Sequence, residues 1–166
     1  VLLGTLHHGF REMLPQETRL ACPLVLTGSS GWKNSDIRLK LEKFIAEGSV
    51  LHLGYVPSEV LPALFSGAAV FCYPSIYEGL GLPVLDAMSS GVPVICRAGT
   101  SMAEFSKGAC LLCDTGEPEE LRMKLQALLE NEGEQLRWGE KGRLEAANFS
   151  WQRCAQETVA IYRQLS

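Results

Sequence analysis

The sequence contains no Asp-x-Asp. Its only aspartates are Asp36, Asp86 and Asp114, too scattered to build a hard-cation site from paired carboxylates. It contains no run of Lys or Arg, and its formal net charge is −4 with a pI near 5.4. A nucleic-acid binder needs a basic face, which this composition does not supply. Apolar runs stop at five or six residues, far short of the roughly 20 that span a bilayer. No cleavable leader is visible. No Gly-x-Gly-x-x-Gly follows a strand-like run, which weighs against a dehydrogenase-type dinucleotide domain. There is also no second Cys pair and no nearby His to complete a zinc site around Cys110 and Cys113. These two lie in Ala109-Cys110-Leu111-Leu112-Cys113, which reads as a strand, where residues three apart point to opposite faces. With Cys22, Cys72, Cys96 and Cys154, they read as six reduced thiols of a cytosolic-type domain.

What is present is the composition of one globular domain over residues 1–166, 46% hydrophobic and 20% charged. The spacing of Leu2, Leu6, Phe10, Met13 and Leu14 predicts a helix over 1–14, with the end of a strand at Val1 to Thr5 as the alternative. Short apolar runs predict buried strands at 23–28, 50–53, 69–73, 92–96 and 109–113. Helices are expected between them. One carries the stripe Ile37, Leu41, Phe44 and Ile45, capped by Asn34 or Ser35 and ended by Gly48. A short one, capped by Ser58, carries Leu61, Leu64 and Phe65. Another runs from Pro83 to Ser90 and stops at Gly91, and a brief one covers 102–105. Three more close the chain over 118–132, 134–148 and 151–165, the last capped by Ser150, with Trp151 expected in the core or, alternatively, against a partner domain.

Continuous apolar strands alternating with helices imply a parallel sheet covered on both faces, the doubly wound α/β class. Ligands of such folds sit beyond the carboxyl ends of the strands. The loops to search are therefore 28–34, 54–58, 74–82 and 97–101.

One of these loops differs from the rest. Tyr77-Glu78-Gly79-Leu80-Gly81-Leu82-Pro83 joins a buried strand to a helix. Its glycines permit a tight turn and a close ligand approach. The helix after it begins at Pro83, so free N–H groups and the positive dipole end face the same space, as suits a diphosphate. A carboxylate at Glu78 would repel a phosphate but suits hydroxyls, as sugar rings present. Asp86 lies about one turn into the helix and can reach further hydroxyls. Taken singly, Asp86 reads equally as a complement to the helix dipole, and Gly79 and Gly81 as ordinary turn residues.

From Glu78 to Ile95 the chain reads E-G-L-G-L-P-V-L-D-A-M-S-S-G-V-P-V-I. It resembles the pattern E-G-F-G-L-P-x-L-E-A-M-A-x-G-x-P-V-I of the retaining family-4 glycosyltransferases, which have the GT-B fold. The likeness extends to P-L-V-L-T-G-S-S-G-W-K at 23–33, L-G-Y-V-P at 53–57, L-P-A-L-F-S-G-A at 61–68 and F-S-W at 149–151, phrases similar to the mannosyltransferase-type branch.

The resemblance implies a Rossmann-like doubly wound parallel sheet, the C-terminal, donor-binding half of a GT-B enzyme. It gives Glu78 a catalytic-site role at the donor sugar hydroxyls. Gly79, Leu80, Gly81 and Leu82 would contact the diphosphate and sugar, and Asp86, where the family has Glu, the ribose hydroxyls. Tyr55 and Val56 would border the nucleobase, with Gly28 also in the donor site. The expected donor is a nucleotide sugar such as GDP-mannose or a UDP-hexose, with no cofactor and no metal. The expected partner is an N-terminal acceptor-binding domain lying outside this sequence, which would also carry any membrane contact. The first strand of the fold and the family's Arg and Lys in the following loop are expected upstream of Val1. Location is expected to be cytoplasmic, and the sequon at Asn148-Phe149-Ser150 is discounted. The competing reading is a catalytically inert Rossmann-like binding or assembly module. Lys33 reads as a surface residue, His7 and His8 as surface or partly buried, His52 as a satisfied strand histidine, and Glu104 equally as a cleft or surface acid.

Overall fold

The computed structural model describes residues 14–28, 35–114 and 117–165. The helix expected over 1–14, apart from Leu14, lies outside these residues, as do His7, His8, Lys33 and the side chain of Ile37. The described elements alternate, in chain order, as α1 (Gln16–Ala21), β1 (Leu24–Thr27), α2 (Ser35–Ala46), β2 (Val50–Gly54), α3 (Leu61–Ser66), β3 (Phe71–Tyr73) and α4 (Leu82–Ser89). There follow β4 (Val94–Arg97), α5 (Ser101–Ser106), β5 (Leu111–Cys113), α6 (Pro118–Leu129), α7 (Glu132–Ala146) and α8 (Trp151–Gln164).

The later strands are shorter than the apolar runs that predict them, and the hydrogen bonds show why. The Val92 N–H donates to the Ala87 carbonyl at 3.2 Å, and the Ala109 N–H to the Ser106 carbonyl at 2.7 Å. These leading apolar residues close the helix ends before them, so pairing starts only at Val94 and Leu111. Helix α1 has no counterpart in the sequence reading. It buries none of its six residues, so there is no apolar stripe to read. Ser58 does not cap α3. Val60 holds the cap position without a side-chain bond, and the Ser58 hydroxyl donates to Glu59 instead. In α2, Leu41 and Phe44 are buried but Ile45 falls on the exposed side.

All pairing is parallel. Leu24 lies opposite Val50 in one ladder; in the other, Phe71 lies opposite Val94 and Ile95 opposite Leu111. Among the described residues these are separate ladders, β1-β2 and β3-β4-β5.

Residues of β4 alternate between two layers. Val94 and Cys96 pack with Val84 and Met88 of α4, Met102 and Phe105 of α5, and Ala146 of α7. Ile95 points the other way, onto Leu121, Leu125 and Leu128 of α6. Each Val, Ile, Leu, Met or Phe side chain so removed from water contributes about 2 kcal/mol. Cys110 joins the first layer and Cys113 the second, so the C-x-x-C is split across the sheet as its strand setting requires. The described cysteines are all free thiols, and Cys154 is exposed.

Against β1-β2, Leu26 and Val50 pack with Leu14, Leu41 and Phe44, while Leu129 of α6 closes the cluster. The opposite face of that ladder leaves Val25, Leu51 and Leu53 exposed. His52, in register with Leu26 on the packed face, is exposed as well. His52 lies on β2, the strand setting expected for it. Trp151 is not core. It is 78% exposed, and α8, which it opens, buries no residue. Ser150 does cap that helix, accepting from the Arg153 N–H at 3.1 Å. No described helix is long and apolar enough to cross a membrane.

Candidate functional site

The glycine-bearing loop leaves the carboxyl end of β3, and its form follows from three local facts. Gly81 adopts φ +89°, the left-handed region that a side chain disfavours, and so turns the chain directly into α4. Pro83 occupies the first turn, where a missing N–H is harmless. No side chain caps this helix start; the Val84 N–H turns back to the Gly81 carbonyl at 2.9 Å, and the positive dipole end faces the loop.

Glu78 is held from below. The Tyr73 hydroxyl donates to Glu78 Oε1 at 2.8 Å and the Ser75 hydroxyl donates to the same oxygen at 2.9 Å. Among the described residues, Oε2 accepts no hydrogen bond. Tyr73 is the last residue of β3 and is buried. Its ring stacks on Phe71, with centroids 5.8 Å apart, and Phe71 in turn meets the edge of Phe65 at 5.1 Å. Burial pushes the Tyr73 phenol up to about 12, and its bond to the Glu78 carboxylate adds to the rise. The hydroxyl therefore stays a donor at any physiological pH.

The first turn of α5 braces this loop. The Ser101 hydroxyl donates to the Glu78 carbonyl at 3.3 Å and reaches that of Leu80 at 3.5 Å. Met102 lies against Gly81 so closely that a Cβ there would come within 2.6 Å of the Met102 side chain. The turn leading into α5 is itself fixed: the Thr100 hydroxyl donates to the Arg97 carbonyl, and the Ala98 N–H to the Cys113 carbonyl.

Of the residues selected from the sequence, Glu78, Gly79, Leu80, Gly81 and Leu82 form one continuous loop, with Gly79, Leu80 and Leu82 exposed and Gly81 buried against Met102. Asp86 follows one turn into α4, with an accessible side chain whose pKa partial desolvation raises. Hydroxyl donors would offset that penalty. Gly28 and Tyr55 come together elsewhere: the Gly28 N–H donates to the Gly54 carbonyl at 2.7 Å, next to a Tyr55 that is 78% exposed and a half-buried Val56. Both groups lie at carboxyl ends of parallel strands, and no hydrogen bond among the described residues joins them. Glu104 is exposed on α5. Among the described residues, no three His, Cys, Asp or Glu side chains converge on a possible metal site.

Tyr73, Ser75 and Ser101 were missed in the sequence. A tyrosine ending an apolar strand reads as core, and two loop serines read as turn formers. The one available signal was the Tyr-x-Ser-x-x-Glu spacing, which sets two hydroxyls before a carboxylate at a strand end.

Residues 10–145 match the family Glycosyl transferases group 1. The chain is 39% identical over 158 residues to the O-antigen chain mannosyltransferase B of Escherichia coli, covering 93% of this chain and 40% of that protein. Its fold superposes on sucrose-phosphate synthase from Thermosynechococcus elongatus with TM-score 0.81 and 26% identity, over 97% of this chain and 41% of the other. It also superposes on Anabaena HepE, solved in complex with UDP and glucose, with TM-score 0.82 and 18% identity, over 96% and 44%. The chain thus spans about two fifths of the length of these proteins.

Proposed function

From the premise that this chain belongs to the Glycosyl transferases group 1 family, we propose that it is the donor-binding half of a retaining glycosyltransferase. The carrying observation is one loop that offers two opposite surfaces side by side. An uncapped helix start after Gly81 suits a diphosphate, and an anchored carboxylate at Glu78 suits sugar hydroxyls. Gly79, Leu80, Gly81 and Leu82 supply the backbone surface, Asp86 takes the ribose hydroxyls, and Tyr55, Val56 and Gly28 border the base. The sugar is mannose or a related hexose; the E. coli relative, a mannosyltransferase by name, supports this.

In the transfer, the bond from the anomeric carbon to the diphosphate breaks and a bond to an acceptor hydroxyl forms on the same face. The hydroxyl proton leaves with the nucleoside diphosphate. Fixed dipoles stabilise the departing charge without reorganisation, so neither a metal nor a cofactor is invoked. The acceptor would be held by a second domain outside this sequence.

Calorimetric titration with UDP, GDP and ADP, and then with the matching nucleotide sugars, tests the reading. One nucleotide should bind selectively, Asp86→Ala should weaken it, and Glu78→Ala should remove the added affinity of the sugar. A folded protein that binds none of them would mean either that the site needs the family's Arg and Lys loop or that the module is inert, and the same titration on the full-length protein decides between the two.

A further inference from the structure

Resting on that reading of the site, we propose that Tyr73 and Ser75 are positioning residues that turn Glu78 into a one-oxygen acceptor for a sugar hydroxyl. Both hydroxyls donate to Oε1, at 2.8 and 2.9 Å. With that oxygen saturated, rotation of the carboxylate about its last bond would forfeit two charge-assisted bonds, so Oε2 is presented in a fixed direction. The anchor is rigid in turn. Tyr73 is buried, its ring is stacked on Phe71, and Phe71 packs against Phe65, so α3 and β3 set the angle from which the hydroxyl approaches. Ser101 holds the loop main chain at Glu78 and Leu80 independently of these two residues. Removing the Tyr73 hydroxyl therefore leaves the backbone turn in place and frees only the carboxylate.

The consequence is selective. A loosened Glu78 should harm recognition of the sugar and spare recognition of the nucleotide. The experiment compares GDP-mannose with GDP, and UDP-glucose with UDP, on the natural full-length protein containing these residues. The variants are Tyr73→Phe, Ser75→Ala, Ser75→Thr and Glu78→Gln. Loss of one bond to a charged group predicts about tenfold weaker binding of the preferred nucleotide sugar in Tyr73→Phe and Ser75→Ala. The matching nucleoside diphosphate should bind as in the wild type. Ser75→Thr, which keeps a hydroxyl, should restore sugar affinity. Equal weakening of sugar nucleotide and nucleotide would mean a structural role and overturn the inference. So would wild-type sugar affinity in both hydroxyl deletions while Glu78→Gln still loses it, an outcome that leaves the donor-site reading standing. If the wild type bound no nucleotide at all, both would fall together.

Discussion

Gly139 in α7 lies so close to Gly91, the residue after the turn that ends α4, that a Cβ added to it would sit 2.1 Å from the Gly91 carbonyl oxygen. One helix thus packs directly against the main chain at the end of another. An alanine in mid-helix normally gains about 1 kcal/mol over glycine. Here backbone rather than a yielding side chain is in the way, so Gly139→Ala should destabilise the fold by ~2 kcal/mol or more. Urea unfolding followed by circular dichroism reads the sign directly: a stabilised variant would show that α7 can slide away at no cost.

Gly81→Ala meets two separate obstacles, the left-handed backbone and the Met102 side chain 2.6 Å away. A residue with Cβ in that region costs about 1–2 kcal/mol, and the contact adds to it. The Met102→Ala background should remove the second part only. A double-mutant cycle on stability should therefore give a favourable coupling of about 1 kcal/mol, with Gly81→Ala remaining destabilising in both backgrounds.

Tyr73 makes the fold sensitive to alkali. Its phenol, ordinarily near 10, is pushed to about 12 in the native state. Between these values the unfolded chain releases the proton that the folded chain keeps. The contribution is therefore fully present below pH 10 and falls as pH rises from 10 to 12, by ~2 kcal/mol. Phenolate absorbance of the wild type minus Tyr73→Phe should show this late titration, and Glu78→Gln should move it earlier. A difference titration centred near 10 would contradict the buried, carboxylate-bound hydroxyl.

Thiol labelling separates the cysteines. Cys154 is exposed on α8, whereas Cys96, Cys110 and Cys113 are buried, and burial raises the pKa of the Cys72 and Cys113 thiols, disfavouring the reactive thiolate. A thiol-specific reagent should modify Cys154 within the first minutes of native exposure. Cys154→Ser should abolish this fast phase, while the buried set reacts only in denaturant.

The main lines of the fold were legible because its strands are apolar on both faces and its helices carry stripes. Val94, Ile95 and Cys96 read as one apolar run since opposite layers bury alternate members of it. The glycine loop was legible because turn chemistry is local. What escaped depends on contacts distant in sequence or on the absence of contacts. Trp151 reads as core by residue type, yet no described element covers it. Ser101 reaches the loop from 23 residues away, and nothing in its neighbours marks it. Tyr73 escaped for a different reason: its partner is only five residues away, but a strand-end aromatic reads as core until its hydroxyl is found on Glu78.

Helix α4 is confined at both ends, by Met102 against Gly81 and by Gly139 against Gly91. Such a helix is a ruler of fixed length. Each added or deleted residue would turn its far end by about 100° and shift it by about 1.5 Å along the axis. Point substitutions on its exposed face, even at Asp86, leave that span intact, whereas a single insertion within it would force one glycine contact out of phase. The segment from Gly81 to Gly91 should therefore tolerate exchange of letters far better than any change in their number.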